Sequence, residues 1–70
     1  LSQKTTREKL LTFLSRQAIY LGKQQFEIPF NRQQLADYLS VDRSAMTVEL
    51  GKLKKEGIID FQKNVFTLNR

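Results

Sequence analysis

The stretch "LADYLSVDRSAMTVEL", residues 35–50, decides how this chain folds. Apolar residues recur at helical spacing on both sides of it, yet Ser40, Val41 and Asp42 interrupt the pattern. A straight helix would leave Val41, Met46, Leu50 and Leu53 on a drifting stripe. A turn of about three residues instead folds both apolar faces onto one core. Ser40 ends the first helix in a polar turn, Val41 is an apolar plug, and Asp42 is a strong N-cap for a helix from Arg43 to about Glu56.

Outward from this turn, Asn31 is a good N-cap for a helix starting at Arg32, with Gln34 at the reciprocal position and Leu35, Ala36 and Leu39 facing inward. Ala36 is small where the two helices must cross closely. Upstream, "QQFEIPF" (24–30) alternates Phe26, Ile28 and Phe30 against Glu27 and Pro29, a short strand that Pro29 confines to an edge or an end. Before it, "TTREKLLTFLSRQAIYLG" (5–22) places Leu10, Leu14, Ala18 and Leu21 on one helical face beside Phe13. Thr5 and Glu8 fit a capping box and Gly22 a C-terminal stop, so this helix runs from residue 5 or 6 to residue 21. Downstream, Gly57 closes the third helix. "IIDFQKNVFTL" (58–68) then reads as a hairpin with Gln62, Lys63 and Asn64 in the turn and Asn supplying the left-handed residue.

The expected fold is therefore mainly α with a small antiparallel β wing: a winged helix-turn-helix of three helices, a hairpin and a short extra strand. Seventy residues make one domain, 1–70, near the lower limit for folding alone, since a core of this size buries only roughly 60% of the unfolded chain's surface. With no cysteine and no histidine, a disulfide framework, a thiolate metal site and the usual general base are all excluded. Glu49 and Glu56, seven apart on one helix face, read as surface charges and not as an acid and base pair, so an enzyme is not expected. No apolar run approaches the ~20 residues of a membrane span and no signal peptide is visible, which points to the cytoplasm. The chain starts at Leu1, as a fragment of a longer protein would.

Twelve Lys and Arg against seven Asp and Glu give a net charge of +5, which favours an acidic partner. Two helices joined by a tight turn project the N-terminal residues of the second into a DNA major groove. The outward residues there are Arg43, Ser44, Thr47 and, at the rim, Val48. Arg43 suits bidentate contact with guanine, and Ser44 and Thr47 suit a base or a phosphate. Arg32, Gln33, Lys52, Lys54 or Lys55, and Lys63 at the hairpin tip are placed to reach phosphates. Phe13, Phe26, Phe30, Phe61 and Phe66 fit a core better than a stacking platform, and Tyr20 and Tyr38 fit half-buried positions. A winged helix used for protein contacts is the alternative; its exposed face should be acidic or apolar, whereas this one begins with Arg, Ser and Thr.

The run "FNRQQLADYLSVDRSAMTVELGKLKKEGIIDF" (30–61) resembles the C-terminal DNA-binding domain of the Crp/Fnr superfamily of bacterial transcription regulators, and the resemblance continues upstream through "LSQKTTREKLLTFL" (1–14). It implies a homodimer, an effector-sensing domain before Leu1, a double-stranded operator with two-fold symmetry, contact with RNA polymerase, and no cofactor within this domain. The family's recognition helix commonly begins Arg-Glu-x-x-x-Arg. Here the matching residues are Arg43, Ser44 and Val48, so only the first is kept, and the operator should differ from the family's usual half-site. The family's turn glycine is Ser40, which is tolerated if that residue avoids positive φ.

Overall fold

In a computed structural model that describes residues 4–69, the order is α1 (Thr6–Leu21), β1 (Gln25–Glu27), α2 (Arg32–Leu39), α3 (Arg43–Lys55), β2 (Ile59–Gln62) and β3 (Val65–Leu68). The resemblance at residues 1–3 falls outside that range. The helices start where their side chains cap them. Thr5 and Glu8 satisfy each other's backbone N–H groups, Asn31 and Gln34 do the same, and the Asp42 carboxylate accepts from Ala45 N–H at 2.9 Å.

All three helices end alike. Residues 22, 40 and 57 take left-handed backbone, and the next N–H turns back to a carbonyl five residues earlier: Lys23 to Ala18, Val41 to Ala36 and Ile58 to Leu53, at 3.0–3.1 Å. Two of these left-handed residues are glycines. The third, in the turn between α2 and α3, is Ser40 at φ 58° and ψ 47°. The condition set from sequence is thus not met: Ser40 adopts positive φ because the turn geometry demands it. A left-handed L-residue costs roughly 1–2 kcal/mol, which glycine avoids. Ser40→Gly should therefore stabilise the domain by about 1 kcal/mol, seen as a higher urea midpoint at unchanged m-value. A lower midpoint would mean that the serine side chain contributes something its surroundings do not reveal.

The three strands form one antiparallel sheet in the order β1-β3-β2. Phe66 of the central strand faces Phe26 on one side and Phe61 on the other. Pro29 lies just past edge strand β1, where no ladder bond needs its missing N–H. Gln62 pairs with Val65, so the hairpin turn is two residues, Lys63 and Asn64, and not three. Its left-handed residue is Lys63 (φ 54°), not the asparagine. A tight turn compatible with strand twist needs positive φ at its first position, and register puts lysine there.

The core joins all six elements: Leu10 and Leu14 of α1, Leu35 and Ala36 of α2, Met46 and Leu53 of α3, and Phe66 are fully buried, with Phe26 and Ile59 nearly so. Val41 packs against this cluster from the turn. Ala36 is fully buried in this cluster, where a larger side chain would push α2 off the core. Both tyrosines are more exposed than expected. Tyr20 is 85% exposed near the end of α1, and Tyr38, at 62%, stacks on Phe30 (5.1 Å) from the solvent side. Leu21, expected on the inner face, is 42% exposed, because α1 outruns the core at its C-terminal end.

Candidate nucleic-acid interface

On α3, Ser44 and Val48 lie opposite the buried Met46, Leu50 and Leu53, and Arg43 and Thr47 lie beside that stripe; all four are exposed. These four therefore form one accessible surface. The Thr47 hydroxyl donates to the Arg43 carbonyl at 3.0 Å, leaving its oxygen free to accept. Gly51 continues the same face, and a Cβ there would meet nothing within 4 Å, so no packing within the domain calls for glycine at this point.

Four of the expected residues converge. Arg32 and Gln33 at the start of α2, Arg43 at the start of α3 and Lys63 at the wing tip line one open depression with Asn31 and Asn64. It brings two helix N-termini and three cations together, which concentrates positive potential in one concavity. Within it Gln33 is held by its own helix, Nε2 donating to Asp37 Oδ1 at 3.0 Å. Arg32 turns inward. Its Nη2 donates to the Lys63 carbonyl, and its guanidinium lies over the rings of Phe66 (4.9 Å) and Phe61 (5.4 Å). Burial pushes its pKa down from the usual arginine value.

Val48 and Lys52 belong to the other flank. Val48 borders a depression shared with Thr5, Thr6 and Arg7, and Lys52 Nζ lies 3.6 Å from Glu49 Oε2. Lys54 is drawn to the base of the wing, with Nζ 3.3 Å from the Phe61 carbonyl, 3.5 Å from Asp60 Oδ1 and 4.8 Å from the Phe61 ring. Lys55 is exposed and makes no ion pair among the described residues.

Sequence reasoning missed Arg7. Its guanidinium forks onto Glu56 (3.0 and 2.7 Å), and its Nε donates to Glu49 at 3.1 Å, fastening the first turn of α1 to the side of α3. Glu49 and Glu56 are therefore partners of one arginine and not simply solvated charges. The Arg7 hydrogen bond holds the Glu56 carboxyl below its usual range, and the two glutamates raise the Arg7 pKa. The only available signal was the seven-residue spacing of two acids on one face. Functionally, α3 turns its acids toward α1 and Arg43 toward the wing.

A three-helix domain with a tight inter-helix turn and a hairpin wing beside the second helix of the pair is a winged helix-turn-helix protein. More particularly, this chain belongs to the family of Crp-like helix-turn-helix domains, whose family model matches residues 8–70. Its membership makes it a DNA-binding domain of the transcription-regulator kind, a class that is typically non-enzymatic. A search of curated proteins found no match. Among the described residues no helix is long and apolar enough to cross a membrane, and no group of three or more acidic side chains is placed to hold a metal ion.

Proposed function

We propose that residues 1–70 are the single DNA-binding domain of a cytoplasmic bacterial regulator of the Crp/Fnr type, reading double-stranded operator DNA with α3 in the major groove. The depression shared by Arg43, Lys63 and the start of α2 carries this reading, because it joins a base-reading arginine on α3 to phosphate-reaching groups on two other elements, the start of α2 and the wing tip. Arg43, Ser44, Thr47 and Val48 face base edges, with Val48 suited to a thymine methyl. Gln33, Lys52 and Lys63 take phosphates; Arg32 stands beside them. Gly51 lets the helix backbone approach the groove closely. The regulator acts as a homodimer on two half-sites about 34 Å apart. Its effector binds outside this domain, which uses no cofactor of its own, and RNA polymerase is a further partner.

Salt dependence is the test. Fluorescence anisotropy of the chain against a pool of labelled duplexes should show log K falling with log salt concentration, at a slope of roughly −0.9 per phosphate neutralised. If even an artificially dimerised chain shows no salt-dependent binding, the duplex reading fails and α3 becomes a protein-facing surface.

A further inference from the structure

We propose that Arg32 is a positioning residue, which sets the wing tip so that Lys63 meets a phosphate and does not contact DNA itself; this rests on the duplex-binding reading above. Three observations support it. Lys63 holds a left-handed backbone (φ 54°) in a two-residue turn, a conformation that L side chains rarely adopt and that something must maintain. Arg32 supplies a restraint: its Nη2 donates to the carbonyl of Lys63 itself. The guanidinium is also fixed over Phe66 and Phe61, one ring from each strand of the wing. The planar fork is thus turned toward the protein, tying the first turn of α2 to both wing strands and to their connection. Lys63, with its backbone anchored and its side chain exposed, meets DNA from a fixed origin, so less freedom is lost on binding.

Two modes of action separate in a double-mutant cycle. Arg32→Ala and Lys63→Ala, singly and together, are titrated against a labelled duplex at several salt concentrations. Lys63→Ala should weaken binding and reduce the salt slope by about 0.9, the value of one phosphate. Arg32→Ala should weaken binding several-fold while Lys63 is present. Added to Lys63→Ala, it should change neither affinity nor slope. A further slope reduction of about 0.9 in the double variant would show that Arg32 contacts a phosphate directly, and the proposal would be wrong.

Arg32→Met, which keeps an unbranched apolar side chain and removes the guanidinium, serves where the alanine variant does not fold. In the free chain, ¹⁵N order parameters at Lys63 and Asn64 should drop from the rigid range near 0.85 to below about 0.6 on Arg32→Met. Unchanged order at the tip overturns the proposal. Should the unaltered chain bind no duplex, the functional reading falls, while the relaxation measurement still decides what Arg32 does to the wing.

Discussion

Phe66→Ala should unfold this domain or leave it close to unfolding at ambient temperature. Phe66 is fully buried in the central strand, lies between Phe26 and Phe61 in register, and has its ring beneath the Arg32 guanidinium. Truncating a buried phenylalanine costs about 3–5 kcal/mol, through lost transfer energy plus the cavity left behind. At roughly 0.05–0.15 kcal/mol per residue, a chain this short has only about 4–10 kcal/mol in total, so the loss takes a large part of it. Collapse around the gap is hindered because Phe66 joins the sheet to the helices. The melting temperature should fall by at least about 12 °C, given roughly 4–8 °C per kcal/mol for domains of this size. Phe61→Ala, at a half-buried ring, should cost clearly less. A Phe66→Ala melt within a few degrees of the unaltered chain would show that the three helices are stable without the wing.

The reach of sequence reasoning in this protein follows the range of the interactions. Caps are local. Thr5 with Glu8 and Asn31 with Gln34 close their reciprocal bonds within three residues, and both were legible. The core was legible too, because Leu10, Leu14, Met46, Leu50 and Leu53 repeat at the helical period and Phe66 and Leu68 at the strand period. The clamp from Arg7 to Glu49 and Glu56 spans 42 and 49 residues, and Arg32 reaches Lys63 across 31, distances at which no periodicity speaks. Backbone strain was signalled at Ser40 only by the family's glycine at that place, and at Lys63 by nothing. Both residues sit where a turn of fixed length demands positive φ, and neither side chain advertises it. Exposure of Tyr20 and Tyr38 depends on how far the neighbouring elements extend, which the pattern within one helix does not encode.

Of all the side chains on α3, Arg43 should show the largest effect on DNA recognition, and the effect should depend on sequence. It stands at the start of the helix, exposed, in the depression it shares with Lys63 and the start of α2. A cation in a first helical turn opposes the helix dipole, so its presence there needs a reason outside the domain. Bidentate contact with guanine O6 and N7 supplies one, and such a pair discriminates against the wrong base by about 1–3 kcal/mol. Arg43→Ala should therefore weaken binding to the best duplex by about 5- to 150-fold and relax selection at one base pair per half-site, while non-specific binding falls much less. Arg43→Lys should keep most of the charge effect and lose most of the discrimination, because the ammonium lacks the planar fork. Lys63→Ala gives the contrast, lowering affinity by a similar factor on every duplex. Selection from random duplexes with the unaltered chain and with Arg43→Ala reads both effects at once. Ser44 and Val48 occupy the positions where the family commonly has Glu and Arg, so the selected half-site should retain the guanine read by Arg43 and differ at neighbouring positions. An unchanged preference at every position in the Arg43→Ala pool would remove Arg43 from the bases and reduce it to one more phosphate contact.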